Sequence, residues 1–244
     1  MPIINPLLCL LSTVLFMELV HANTAKITLN YGLHHGTGYF EHDDNNDVTA
    51  FVLSGAYKPS PRHTFKLSSS YNRLKLSHTS SKESREGMGD TQLSYKHRKF
   101  FNKARSIIDI ETKLKIPTAN EDKGLGTGKT DSTLIGGLYQ RVNRYWLYTK
   151  LGHKWRGDSA TRKMNNGYFA KLGLTSPLGQ QLSIGGNLAY HHASSPRSED
   201  RKEALLHLGY KVTKHLKTTF YTVRGFTQAS PKWAGGILIR HQIN

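Results

Sequence analysis

The feature that most constrains this chain is an alternation of apolar and polar residues, with a period of two, that recurs from residue 25 to the C-terminus. It is clearest over residues 108–116, which read IDIETKLKI. A period of two is the side-chain repeat of a β-strand, here with one apolar face and one charged face. Unpaired charges are too costly to bury in a dry core, so the pattern favours strands with lipid on one face and water on the other.

Segments with this alternation have about the nine to eleven residues that a tilted strand needs to cross hydrocarbon. They cover residues 26–33, 47–57, 64–76, 89–98, 108–116, 131–141, 145–155, 166–175, 181–191, 203–212, 216–225 and 233–243. Long polar connections, such as 34–47 and 77–88, alternate with short turns, which is the asymmetry of outer-membrane barrels. The predicted fold class is therefore all-β: a transmembrane antiparallel up-and-down β-barrel of about 12 strands, closed so that no strand edge is left unpaired.

The first 22 residues are predicted to be a cleaved signal peptide. An apolar run from Pro6 to Val20 precedes Val20-His21-Ala22, the small-x-Ala pattern that signal peptidase accepts. The alternative is a membrane anchor, but about fifteen apolar residues are too few to span hydrocarbon as a helix. The single cysteine, Cys9, lies in this segment, and a mature chain without cysteine suits passage through an oxidising periplasm. We divide the chain into a signal peptide, 1–22, and an outer-membrane β-barrel, 23–244.

The chain is strongly basic, with 34 Lys and Arg against 17 Asp and Glu, a formal net charge of +17. Its surroundings should therefore include anions. Nucleic acid is not predicted, because the signal peptide directs the chain out of the cytoplasm and no nucleic-acid-binding motif is present. The predicted partners are the lipid bilayer, lipopolysaccharide, the barrel assembly machinery and a small solute whose identity the sequence leaves open.

The polar faces of the predicted strands supply the candidate lumen-lining residues. These are Lys96, Arg98, Asp109, Glu111, Lys113, Lys115, Trp146, Tyr148, Lys150 and Lys154. Other aromatic residues, such as Trp155 and Trp233, lie near strand ends, where they would form the interfacial girdles of a membrane barrel. The alternative fold is a soluble β-sandwich that exposes its lysines to water.

No catalytic residue, metal site or cofactor is predicted. The segment from Lys123 to Thr130 has Gly-Lys-Thr but lacks the first glycine of a phosphate-binding loop, and it joins two strands instead of a strand and a helix. A hydrolase remains an alternative because His192 with Ser194, or His78 with Ser80, would supply a base and a nucleophile.

Several motifs between residues 87 and 158 resemble the phenol-degradation meta-pathway transporter family of outer-membrane proteins. They are Gly87-Met-Gly-Asp90, Leu93-Ser-Tyr-Lys96, Lys113-Leu-Lys-Ile-Pro-Thr118 and Gly124-Leu-Gly-Thr-Gly128, followed by Asp131. The matching family positions are Gly87, Gly89, Asp90, Pro117, Thr118, Gly124, Gly126, Gly128 and Asp131. The chain departs from the family at Ala119-Asn120, where Gly-Asp is common, and it ends in Asn244 instead of the aromatic residue that outer-membrane assembly usually favours. The resemblance implies an outer-membrane barrel named for the uptake of aromatic compounds.

The functional hypothesis is an outer-membrane channel or transporter for small solutes, with aromatic and anionic compounds as candidates. The inward lysines favour an anion-preferring interior, whereas apolar solutes would need an oily lining. Two alternatives stay open: a structural or adhesive barrel with a plugged lumen, and an envelope lipid hydrolase.

Overall fold

The structure is a computed structural model that describes residues 25–38, 46–78, 81–157, 164–196 and 198–243. The predicted signal peptide lies outside the described residues. Thirteen strands are found in the described ranges: β1 (Lys26–Thr37), β2 (Asp47–Ser60), β3 (His63–His78), β4 (Ser81–Met88), β5 (Thr91–Phe101), β6 (Ser106–Ile116), β7 (Asp131–Val142), β8 (Tyr145–Trp155), β9 (Gly167–Leu178), β10 (Leu182–His191), β11 (Arg201–Lys211), β12 (Leu216–Gly225) and β13 (Trp233–Ile243). Within the same ranges, no helix is long and apolar enough to cross a membrane.

The strands form one closed antiparallel sheet in which neighbours in sequence pair with each other, except that β5 pairs with β3 instead of β4. β1 pairs with β2 on one side and with β13 on the other, which closes the ring. β3 is 16 residues long and pairs with β4 over residues 71–78 and with β5 over residues 63–68. β4 and β5 therefore share one position, and the thirteen strands occupy the twelve positions of a barrel, which confirms the predicted fold class.

The prediction that residues 77–88 form a polar loop is wrong. Residues 81–88 form β4, which makes a hairpin with the outer half of β3, beyond the stretch of β3 that pairs with β5. Arg73 and Glu86 are register partners there, with 3.7 Å between Arg73 Nε and Glu86 Oε2. A hairpin above the hydrocarbon needs no apolar face, so its strand lacks the alternation that marks the other strands.

The connections at the two ends of the barrel differ in length. At the end where β1 begins and β13 ends, the turns are short; residues 143–144 and 179–181 are examples. Asn143 has φ of 54°, which suits a two-residue hairpin turn. At the other end the connections are longer, as in 117–130 and 192–200. This asymmetry is that of a barrel whose short turns face the periplasm.

The outer face of the barrel is apolar. Leu151, Leu188 and Leu206 lie near the middle of their strands and are 61–64% exposed. Aromatic residues flank this belt, with Tyr145 at the short-turn end of β8 and Trp155 at its other end. The ten residue steps between them span about 25 Å along the barrel axis for a strand tilted by about 40°. That is the height of a hydrocarbon belt, so the outer surface is built to contact lipid.

Candidate functional site

Charged residues of β5 to β9 meet on the inward face of the barrel because the register aligns them. Arg98 pairs with Asp109, Asp109 with Gly137, and Gly137 with Lys150. Lys96 pairs with Glu111 one pleat further along the same two strands. On β6 the inward side chains alternate with exposed Ile108, Ile110 and Leu114. The polar faces expected to point inward in this region therefore share one wall.

The first cluster on this wall consists of Lys96, Arg98, Asp109, Glu111 and Lys113. Lys96 Nζ lies 3.0 Å from Glu111 Oε2 and 3.5 Å from Asp109 Oδ2. Arg98 Nη2 is 3.6 Å from Asp109 Oδ2, and Lys113 Nζ is 3.4 Å from Glu111 Oε1. The Asp109 side chain is 1% exposed. Two nearby cations compensate for the desolvation of this carboxylate.

The second cluster, here called the loop clamp, consists of Asp90, Lys115, Asp131 and Lys154. Lys115 Nζ lies 3.0 Å from Asp90 Oδ2 and 3.2 Å from Asp131 Oδ2. Lys154 Nζ lies 2.9 Å from the same Asp131 oxygen. Asp131 also accepts a hydrogen bond from the Gly157 backbone N at 3.3 Å. The clamp therefore ties both ends of the connection 117–130 to β5 and β8.

Most positions that resemble the outer-membrane transporter family meet around this clamp. Asp90 Oδ1 accepts a hydrogen bond from Ala119 N at 3.1 Å, and Thr118 Oγ1 donates to Gly89 O at 3.1 Å. A Cβ on Gly126 would lie 2.9 Å from Asp90 Oδ1, so glycine is needed there. Pro117 follows the last residue of β6. Gly87, Gly124 and Gly128 have positive φ angles. The motif thus fastens the connection 117–130, a task that the sequence alone did not reveal.

Three further lysines face inward without an acidic partner. In the described part of the chain, no carboxylate oxygen lies within 4 Å of Nζ of Lys66, Lys150 or Lys171. Lys150 and Lys171 are register partners on β8 and β9. Glu203, an acidic neighbour of Lys171, is already hydrogen-bonded to Arg201. These lysines therefore contribute uncompensated positive charge to the interior.

The two aromatic candidates also share the inward face of β8. The Tyr148 ring stacks on Tyr139 with 6.0 Å between centroids, and it covers Gly173, where a Cβ would lie 2.3 Å from the ring. Lys150 Nζ lies 5.7 Å from the centroid of Tyr139. Trp146 is half-buried near the short-turn end of the same strand. The interior is therefore cationic with an aromatic strip beside the lysines.

A wall of small residues lies across the barrel from these charges, and sequence reasoning missed it. Thr28, Ala50, Ser54, Ala56 and Ala234 are all buried there. They belong to β1, β2 and β13, whereas β7 to β9 occupy the opposite positions of the twelve-position ring. Small side chains leave room for the long charged ones. Alternating Ala, Ser and Thr residues give a weak sequence signal for a lining because they are neither strongly apolar nor charged.

Gly137→Ala is expected to destabilise the barrel by about 1–3 kcal/mol, because an added methyl group overpacks the charged wall. Its Cβ would lie 2.3 Å from Asp109 Oδ1, so the carboxylate must move away from its cations. Urea unfolding of the protein in phospholipid vesicles measures the loss. Gly136→Ala is the matched control, because a Cβ there meets nothing within 4 Å. Equal effects of the two substitutions would contradict the contact with Asp109.

The hydrolase alternative rests on residues at the outer end of the barrel. The His192 ring stacks on Tyr168 with 5.0 Å between centroids, and its buried Nδ1 has no hydrogen-bond partner among the described residues. No hydrogen bond between the His192 and Ser194 side chains is found in the described ranges. The pair His78 and Ser80 lies outside the described side chains.

Nearby, Asp200 ends the connection 192–200. Tyr190 Oη donates a hydrogen bond to its carboxylate at 2.5 Å, and Ala193 N donates another at 2.8 Å. These bonds lower the pKa of Asp200. As an anion, the Asp200 carboxylate therefore holds this connection in place.

The fold resembles those of solved outer-membrane channels. Against the COG4313 outer membrane channel from Pseudomonas putida F1, the TM-score is 0.73 at 16% sequence identity, covering 90% of this chain and 95% of that chain. Against the KdgM porin, the TM-score is 0.57 at 10% identity, covering 89% and 99%. The KdgM porin in complex with disordered oligogalacturonate gives 0.56 at 11% identity, covering 89% and 98%. No family model and no curated protein matches the sequence. At these identities the likeness is one of fold.

Proposed function

We propose that the protein is an outer-membrane channel for small anionic solutes. The observation that carries this proposal is the imbalance of charge on the inward wall. Four carboxylates there, Asp90, Asp109, Glu111 and Asp131, contact five basic side chains. With Lys150 and Lys171 of this wall and the inward Lys66 of the neighbouring β3 added, these described residues comprise eight cations against four anions. A confined surplus of this sign attracts anions and repels cations.

Two further points support the proposal. The solved structures of similar fold include channels, and one is described in complex with oligogalacturonate, an anion. The family resemblance, with its link to aromatic compounds, agrees with the strip formed by Tyr139 and Tyr148 beside Lys150. Aromatic carboxylates would satisfy both the cations and the rings.

The proposal includes the location of the barrel and its partners in the membrane. After removal of residues 1–22, the barrel assembly machinery inserts residues 23–244 into the outer membrane. The apolar outer belt then contacts lipid, and lipopolysaccharide lies around the end with the long connections.

Reversal potentials across a KCl gradient in planar bilayers test the proposed selectivity at neutral pH. The wild-type channel is expected to prefer Cl⁻ to K⁺. Lys150→Glu combined with Lys171→Glu changes the charge of the wall by four units and is expected to shift the preference towards K⁺. Lys103→Glu, in an exposed turn at the short-turn end, is the control and is expected to leave the preference for Cl⁻ nearly unchanged.

Cation preference of the wild-type channel would contradict the assignment of these lysines to the permeation path. A folded barrel without conductance would instead favour the alternative of a plugged structural or adhesive barrel.

A further inference from the structure

A basic and aromatic patch lies on the outer surface of the barrel, at the end with the long connections. This rim patch consists of Lys202, Arg224, Phe226, Lys232 and Trp233. Lys202 is on the face of β11 that also carries Leu206, and Arg224 is on the face of β12 that also carries Phe220. Leu206 and Phe220 are both more than half exposed on the apolar belt. The patch therefore borders the lipid-facing surface.

The cations of the rim patch are held in place by neighbouring strands. The Arg224 guanidinium carbon lies 4.8 Å from the centroid of the Trp233 ring, and Nη1 donates a hydrogen bond to Lys232 O at 2.8 Å. Arg224 and Trp233 are register partners on β12 and β13. The alkyl stem of Lys232 packs over Gly38, where a Cβ would lie 2.7 Å from Lys232 Cγ. Arg224 and Lys232 are thus oriented before any ligand binds.

Lys202 lies one rung further towards the outer end. Its carbonyl accepts a hydrogen bond from Phe226 N at 2.9 Å, next to the register pair of Ala204 with Arg224. Diagonal neighbours of this kind have side chains about 7–8 Å apart. A single phosphate group can therefore be reached from both Lys202 and Arg224.

The cations of the rim patch form no direct ion pair in the described ranges, although Glu199 lines the same cavity as Arg224 and Lys232 and Asp200 lies near Lys202. Within the described ranges, no carboxylate oxygen lies within 4 Å of the charged nitrogens of Lys202, Arg224 or Lys232. A cavity of about 560 Å³ is lined by Arg224, Lys232 and Phe226, and also by Glu199, whose Oε2 accepts a hydrogen bond from Gln228 N at 3.3 Å. The space is large enough for a phosphorylated sugar.

We propose that the rim patch binds a phosphate group of lipopolysaccharide in the outer leaflet. The guanidinium of Arg224 matches the bidentate geometry of a phosphate, and the two lysines supply further charge. Trp233 and Phe226, which are 57% and 63% exposed, lie where the phosphorylated sugar meets the acyl chains. The assignment rests on the proposed location in the outer membrane.

Native mass spectrometry of the full-length protein in detergent micelles tests the site with two probes: bisphosphorylated lipid A and the same lipid without phosphates. The wild-type protein is expected to bind the bisphosphorylated form at least tenfold more tightly. The triple variant Lys202→Ala, Arg224→Ala, Lys232→Ala is expected to lose most of that preference. Arg144→Ala is the matched control, because Arg144 also lies over an aromatic ring, 5.2 Å from the centroid of Tyr145, but at the opposite end of the barrel.

Heat modifiability on gels establishes that each variant is folded. Lys202→Glu alone is a milder change and is also expected to reduce the preference for bisphosphorylated lipid A. Equal binding of both lipids, an equal loss in Arg144→Ala, or full competition by millimolar inorganic phosphate would overturn the proposal. Conductance in bilayers free of lipopolysaccharide is independent of the rim patch, so failure of this site is distinguishable from failure of the channel assignment.

Discussion

Asp131→Asn is expected to lower the free energy of unfolding by about 3 kcal/mol, because it removes one charge from a buried network and leaves its partners. Lys115 and Asp131 have side chains that are 12% and 5% exposed, so water screens their attraction poorly. Lys154, at 33% exposure, loses the same partner. Two lysines would then face each other across a neutral amide. Urea unfolding of the barrel in vesicles, followed by tryptophan fluorescence, measures the change.

Asp122→Asn is the matched control for this substitution. Asp122 is an exposed carboxylate in the same connection, 117–130, and it makes no ion pair within the described ranges. Its removal is expected to change the stability by less than about 0.5 kcal/mol. An equally small effect of Asp131→Asn would show that the loop clamp contributes no stability.

The same substitution is expected to change the electrical behaviour of the channel. The loop clamp holds the connection 117–130 against β5 and β8, so its loss should let this connection fluctuate at the outer mouth. Single-channel records of Asp131→Asn are expected to show more frequent current steps than those of Asp122→Asn.

Leu151→Arg is expected to destabilise the barrel by about 2–4 kcal/mol, the range for a cation on the lipid face near the midplane of a bilayer. Leu151 is 61% exposed and lies near the middle of β8, between the aromatic residues at its two ends. The guanidinium would have to reach the interface or draw water and lipid headgroups into the hydrocarbon.

Gln180→Arg places the same side chain in an exposed short turn and serves as the control. Folding into vesicles, followed by the heat-modifiable shift on gels, measures both variants. If Leu151→Arg were tolerated as well as Gln180→Arg, the apolar face could not be in contact with lipid.

The period of two was enough to predict the closed barrel, because one apolar and one charged face are incompatible with a dry core on both sides of a strand. It failed at β4, since a strand outside the hydrocarbon is under no pressure to carry an apolar face. It located β1 and β2 correctly, but it did not reveal that Thr28, Ala50 and Ser54 on these strands form a wall of small residues. Alternation therefore locates strands inside the membrane better than strands above it.

The charged residues of the candidate site were identifiable, but their partners were not. Asp90 and Asp131 are far apart in sequence, and only the register of β5, β6 and β7 brings both carboxylates to Lys115. That register depends on turn geometry, which residue type alone does not specify. The glycines that resemble the family positions form a visible pattern in the sequence, but only coordinates show that a Cβ on Gly126 or Gly87 would collide with Asp90 or Leu125. Permeation along this wall stays a prediction.

The hairpin of β3 and β4 has a consequence for how the protein behaves among its own copies. β4 pairs with β3 on one side, and the described structure gives it no strand on the other. The connection 117–130 reaches this second side, where Leu125 packs near Gly87 and Arg85 lies near Gly124. An uncovered strand edge is a template for association between chains. By holding the connection 117–130 over this edge, the loop clamp limits association between barrels. We therefore expect barrels without the clamp to form clusters in a crowded membrane.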